Sequence, residues 1–276
     1  MMFRSRRLLA LAAISLAVPA ATFAQSVTDT SASHPPAILG GRDALAIAAF
    51  AIATAAVMPF DRHIAIESQR PLLQNNAALD HTLTGFRVLG EPGSIALAGA
   101  AYLYGRTADS PRSAELGLRT IESIGAAGIT SLIIKAFAGR ARPYVVADTN
   151  PNDYKVGRGF HSDSYMSFPS GHVTTAFAAA SAASQEISYL WPHASRLWTP
   201  VLFTSASMVG IARVYEDKHW ASDVIGGAAV GTIVSRIVVR YSRAHPGNAI
   251  DRLLLPNGLG TGTSGRGVAF SWNYRW

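Results

Sequence analysis

Apolar positions in this chain gather into six runs, 44–60, 92–105, 123–134, 173–185, 197–212 and 224–235, separated by stretches that carry charge, proline and glycine. The runs are rich in Ala, Leu, Ile and Gly with scattered β-branched residues. None shows the two-residue alternation of a half-buried strand, so each predicts a helix and the whole predicts an all-α fold with a six-helix core bundle. Only the first run reaches the ~17 residues that a bilayer crossing needs. The other five, at 12 to 16 residues, read by length as buried core helices. Charged run ends, with Tyr189, Trp191, Trp198 and Trp220 beside them, would also suit interfacial anchors, so an integral six-helix protein stands as the alternative.

The two ends differ from this pattern. Residues 1–24 have Arg4, Arg6 and Arg7 before an apolar stretch and a small-residue site at Thr22, Phe23 and Ala24, the signature of a cleaved export signal. Residues 25–42, with Pro35 and Pro36, read as a flexible entry segment, 43–245 as the helical domain, and 246–276 as a glycine-rich linker and aromatic tail. In that tail Val268, Phe270, Trp272, Tyr274 and Trp276 alternate with smaller or polar residues, a period-two strand with one aromatic face. It resembles the last strand of an outer-membrane barrel. One strand makes no barrel, so an extended arm docked on the domain is expected.

Composition narrows the chemistry. The chain is 49% hydrophobic and 15% charged, and it has no cysteine, which excludes disulfides, thiol catalysis and thiolate metal sites. Loss of the three arginines in the export signal takes the formal charge from +7 to +4. That bias suits anionic substrates or headgroups and is too diffuse for nucleic acid. The expected location is exported and periplasmic, soluble or membrane-associated, with an integral inner-membrane protein as the alternative.

The longest stretch without an apolar period, 144–166, leads directly into Ser167, Phe168, Pro169, Ser170, Gly171 and His172. A polar connection of this length inside a compact domain is more often functional than idle. Pro169 stops any preceding helix and Ser170 is a good N-cap, so a helix is predicted to start here, with free N–H groups and a positive dipole end beside Gly171 and with His172 at its mouth. Taken alone, these residues also fit a plain capped helix with a surface histidine.

Two further clusters carry charge. Lys135 and Arg142 are seven apart, ahead of Pro143, so a helix continuing to Pro143 would set both cations near one face as a phosphate or carboxylate clamp. Complementing a helix dipole is the simpler role for the same cations. Arg213, His219 and Asp223 follow. On a helix beginning near His219 the Asp223 carboxylate reaches one ring nitrogen and leaves the other for proton transfer. An ordinary helix-start pair would look the same.

In order, the clusters read Lys-x6-Arg-Pro, Pro-Ser-Gly-His and Arg-x5-His-x3-Asp over residues 135–223. This pattern resembles the type 2 phosphatidic acid phosphatase superfamily, which includes lipid phosphatases, bacterial acid phosphatases and vanadium haloperoxidases. One position departs, since Ala212 stands where the family usually has serine. The resemblance implies the helical bundle of the acid phosphatase and haloperoxidase type and a phosphatase acting on phosphomonoester or pyrophosphate bonds of lipids or small phosphorylated substrates. It implies His172 as the nucleophile that forms a phosphohistidine, and His219, oriented by Asp223, as acid and then base. Lys135, Arg142, Ser170, Gly171 and Arg213 would bind the phosphate oxygens. No metal or other cofactor is implied. The alternatives are a haloperoxidase holding vanadate, with His161 as the candidate extra histidine, and a non-catalytic phosphate or headgroup binder.

Overall fold

The computed structural model describes residues 39–255, 260–262 and 269–271. The export signal at 1–24, nearly all of the entry segment and most of the aromatic tail lie outside the described residues.

Helix α1 (Gly41–Val57) runs through a short turn into α2 (Asp61–Ser68), followed by α3 (Pro71–Gln74) and α4 (Ala77–Val88). A helical interruption at Leu89–Gly93 precedes α5 (Ser94–Thr107), and α6 (Pro111–Ala138), α7 (Gly171–Leu190), α8 (Pro192–Tyr215), α9 (Ala221–Ala244) and α10 (Ala249–Leu254) complete the bundle. From the tail, β1 (Gly260–Gly262) and β2 (Ala269–Ser271) pair antiparallel, with Thr261 opposite Phe270.

All six apolar runs are helical, as expected for an all-α bundle, although 44–60 runs past α1 into the short turn Met58–Phe60 and 92–105 begins in the interruption before α5. Helix α4 had no counterpart among the runs because Asp80, His81, Thr82 and Arg87 break up its apolar positions. The length argument against membrane crossing fails. Runs measured between charges stop short of the helix ends, whereas charged residues here sit inside helices and are neutralised by partners: Glu122 of α6 pairs with Arg119, and Glu186 of α7 with Arg243. Four stretches, Gly41–Ser68, Pro111–Ala138, Pro192–Tyr215 and Ala221–Ala244, are long and apolar enough to cross a membrane. Large apolar side chains such as Leu45, Ile52, Leu97, Ile129 and Ile133 stand exposed on these helices and on α5, too extensive an apolar surface for a water-soluble domain. The protein is membrane-associated.

Helix α7 is the centre of the bundle. Its Val173, Ala176, Phe177 and Ala180 pack against Phe203, Ala206 and Val209 of α8, Ile225 and Ala228 of α9, and Phe50 of α1. Small residues bring α9 unusually close: a Cβ on Gly231 would lie 2.4 Å from the Thr174 carbonyl oxygen, and one on Gly227 2.6 Å from that of Ser170. The C-terminal ends of α6 and α8 therefore meet the N-terminal ends of α7 and α9 at one end of the bundle. The start of α1 is at the other end, where Asp43 binds Arg236 at 2.9 Å and also pairs with Arg240, both late in α9.

Candidate active site

The helix carrying Lys135 ends earlier than expected. Gly139 takes a left-handed conformation (φ 56°, ψ 35°) as its cap, and a Cβ there would lie 1.9 Å from the Lys155 carbonyl oxygen. Lys135 thus occupies the last turn of α6, whereas Arg142 lies beyond the helix on extended backbone, as the residue before a proline prefers. The two cations do not share a helix face, yet the fold brings both to the same pocket. Lys135 Nζ donates to the Met166 carbonyl at 2.6 Å, and its Cε would stand 3.4 Å from a Cβ on Gly171. Arg142 donates to the Asp163 carbonyl at 2.9 Å and its carboxylate at 2.8 Å, and to the Lys218 carbonyl at 3.3 Å.

Ser170 sits at the N-cap of α7, as expected, but its side chain makes no capping bond. The hydroxyl is wholly buried and has no hydrogen-bond partner among the described residues, an orphaned polar group beside the free N–H groups of the helix start. Arg213, in the last turn of α8, pairs with Glu216, whose other oxygen accepts from Arg87 of α4 at 2.8 Å. Lys135, Arg142 and Arg213 are all buried.

The two histidines are held differently. His219, in the turn before α9, has Nδ1 2.8 Å from the Ser167 carbonyl oxygen and 3.7 Å from Asp223 Oδ2. A carbonyl oxygen only accepts, so Nδ1 carries the proton and Nε2 the lone pair. Burial pushes the His219 imidazole down to about 3, so the ring is neutral. Asp223 Oδ2 also accepts from Ser167 Oγ at 2.5 Å and from the Trp220 N–H at 2.9 Å.

His172, in the first turn of α7, is more open, with 30% of its side chain exposed against 2% for His219. Its Nδ1 lies 3.4 Å from Glu91 Oε2. Burial, and then Arg213, Arg87, Lys135 and Arg142, push it down to about 4.

All eight residues expected from the sequence converge on this end of the bundle: His172, His219 and Asp223, with Lys135, Arg142, Ser170, Gly171 and Arg213. Sequence reasoning missed Arg140, wholly buried beneath the pocket. It binds Asp223 Oδ1 at 2.5 Å, Asp61 Oδ2 at 2.7 Å and Ser222 Oγ at 2.8 Å, with the Tyr154 and Trp220 rings 5.0 and 5.6 Å from its guanidinium carbon. Its position in the Gly-Arg-Ala-Arg-Pro sequence was visible, but its partner Asp61, 79 residues earlier, was not. Ser167, Glu91 and Arg87 were missed for the same reason: only the fold brings them to the histidines. His161 is exposed beside the turn Arg158–Phe160, and no described contact brings it to the pocket. Among the described residues no group of three or more His, Asp, Glu or Cys is placed to hold a metal ion.

A helical bundle with a cation-lined pocket at one end is the class these features define. A model of the PAP2 superfamily matches residues 116–246, a stretch that includes all eight residues and in which the chain is similar to the type 2 phosphatidic acid phosphatases. Over 93 residues it is 41% identical to the lipid A 1-phosphatase of Porphyromonas gingivalis, a match covering 32% of this chain and only 19% of that relative's length. Its fold is similar to that of a transmembrane PAP2-type phosphatidylglycerolphosphate phosphatase from Bacillus subtilis, with a TM-score of 0.55 and 22% identity over 75% of this chain and 98% of that one. LpxE from Aquifex aeolicus aligns with a TM-score of 0.46 and 24% identity, covering 66% of this chain and 94% of that one.

Proposed function

We propose that this protein is a metal-independent phosphatase that cleaves a phosphomonoester or pyrophosphate bond of a phosphorylated lipid through a phosphohistidine intermediate. The observation that carries the reading is the unequal tethering of the two histidines beside three buried cations and an unpartnered serine hydroxyl.

A nucleophile needs an unprotonated nitrogen aimed by its surroundings, and a general acid needs a ring that can exchange protons. His219 fits the first description and His172 the second, so the proposal exchanges the roles that the family resemblance implied. In this scheme His219 Nε2 attacks phosphorus, the bond to the leaving oxygen breaks, and that oxygen takes a proton from His172 Nε2. The now neutral His172 then removes a proton from water. The resulting hydroxide attacks phosphorus, the P–N bond breaks, and the electron pair returns to Nε2.

Lys135, Arg142 and Arg213, with the Ser170 hydroxyl and the Gly171 N–H, would hold the three equatorial oxygens through both steps. Asp163 and Glu216 pair with Arg142 and Arg213 where that phosphate would bind. The Asp163 side chain is 77% exposed and can swing aside into solvent when a substrate arrives.

Lipid is favoured over a small soluble ester by the setting. Phe137 and Phe160 stack edge to face at 5.3 Å and are largely exposed, as is Val156, all close to the end of α6 that carries Lys135. We place the pocket on the periplasmic face. The test is a substrate panel on purified protein in detergent, with a phosphorylated lipid and an aryl phosphate. Turnover should persist in EDTA, fall in vanadate, which mimics the trigonal bipyramidal phosphorus, and vanish in His219→Ala. Loss of turnover in EDTA with recovery on adding a divalent metal would contradict the proposal.

A further inference from the structure

The interruption between α4 and α5 delivers a carboxylate to the more exposed histidine. Glu91 is extended there (φ −154°, ψ 119°), between helical stretches on both sides. Its neighbour Gly90 is buried against α8, where a Cβ would lie 2.7 Å from the Val209 side chain. No larger residue fits, so the interruption is pinned to the same helix that carries Arg213. The result is that Glu91 Oε2 reaches to 3.4 Å from His172 Nδ1. Separations of this size commonly tighten once the ring is charged and substrate is bound.

The groups facing His172 explain why a carboxylate is needed at that spot. Arg87 comes from α4, Lys135 from α6, Arg142 from the following loop and Arg213 from α8, and Glu216 is engaged by Arg87 and Arg213. Four cations disfavour a fifth positive charge, yet a general acid in this pocket must carry one. Substrate phosphate supplies negative charge on the Nε2 side of the ring. Nothing in the phosphate clamp does so on the Nδ1 side, where Glu91 stands.

We propose that Glu91 is a positioning residue for leaving-group departure: it accepts the Nδ1–H of His172, orients the ring and keeps it in the doubly protonated form that donates from Nε2. This deepens the reading above and rests on His172 being the acid. His172 and Glu91 then form a second histidine–carboxylate pair, set apart from His219 and Asp223 by its exposure.

The test compares Glu91→Gln with wild type on an alkyl phosphate, whose leaving oxygen needs a proton, and on p-nitrophenyl phosphate, whose leaving group departs without one. The expected result is a kcat loss of about tenfold or more on the alkyl ester and a much smaller loss on the aryl ester, because only the protonation step is affected. The high-pH limb of kcat on the alkyl ester should move to lower pH, since a less stabilised imidazolium loses its proton sooner, and Glu91→Asp should recover part of the loss. Equal losses on both substrates, or no loss on the alkyl ester, would overturn the role of Glu91. His172→Asn run in parallel separates the two claims: if it shows no leaving-group dependence, the acid assignment fails; if it does and Glu91→Gln does not, Glu91 alone fails.

Discussion

Arg140 donates to Asp223 Oδ1 at 2.5 Å and to Asp61 Oδ2 at 2.7 Å, so the carboxylate beside His219 is tied through one buried guanidinium to the first membrane-capable stretch of the chain. With Oδ1 occupied, Oδ2 is left for Ser167, Trp220 and the side facing His219. Removing one partner of a buried ion cluster strands the others and costs about 3–5 kcal/mol. Asp61→Ala should therefore lower the unfolding temperature in detergent markedly and lower turnover with it. Arg140→Lys should also fail, because an ammonium cannot span two carboxylates as the planar fork does. Wild-type unfolding in Asp61→Ala would contradict this account of the cluster.

The two histidines should weaken the fold in acid from a pH well above the range where ordinary carboxylates titrate. The ordinary histidine value is 6.5, and the folded values are pushed down to about 3 for His219 and about 4 for His172. Between those limits the unfolded chain binds protons at these histidines that the folded chain refuses, so their contribution to stability falls as pH is lowered through 6.5, while Glu186 and Asp217, pushed up to about 7 by burial, take up protons in the folded chain and oppose it. The slope is at most ~1.4 kcal/mol per pH unit for each histidine. Thermal unfolding of wild type and His219→Asn from pH 7.5 to 4.5 should isolate that contribution, the variant losing less stability than wild type as the pH falls. An unchanged slope in that variant would show that His219 is not held neutral by burial.

The pocket and the start of α1 lie at opposite ends of the bundle, which turns orientation into a labelling experiment. The chain has no cysteine, so single cysteines can be introduced cleanly. With a periplasmic pocket, Val156→Cys should react with an impermeant maleimide in intact spheroplasts, and Gly41→Cys only after the membrane is opened. That outcome places the start of α1 on the cytoplasmic side and is incompatible with a cleaved export signal at 1–24 followed by a crossing α1. Labelling of Gly41→Cys alone in intact spheroplasts would move the pocket to the cytoplasmic side. Labelling of both would mean that Gly41–Ser68 does not cross.

Much of this arrangement was legible in the sequence, and the failures share a cause. The six apolar runs gave the helical class because a 3.6-residue period survives in any buried helix. The three clusters gave the pocket because Lys135, Ser170, Gly171, His172, Arg213, His219 and Asp223 sit at helix ends, where capping and charge leave local marks. Arg142 does reach the pocket, but it was placed on a helix that had already ended at Gly139, a glycine whose capping role could have been read. Membrane capacity was misjudged because the runs were measured between charges, whereas Glu122 pairs with Arg119 one turn earlier on its own helix and Glu186 with Arg243, a partner that only the fold supplies. Arg140, Asp61 and Glu91 were invisible as site residues because each acts across more than 75 residues of chain. The histidine roles needed the Ser167 carbonyl, a backbone atom that no side-chain pattern encodes.

The most direct test of the account asks which histidine carries the phosphoryl group. Wild type, His172→Ala and His219→Ala, mixed with radiolabelled p-nitrophenyl phosphate and quenched at high pH, should give acid-labile, base-stable label in the first two and none in the third. His172→Ala should accumulate more label than wild type, because it lacks the base for hydrolysis, and peptide mapping should place it on Nε2 of His219. Label that persists in His219→Ala and disappears in His172→Ala would reverse the assignment and contradict the central claim.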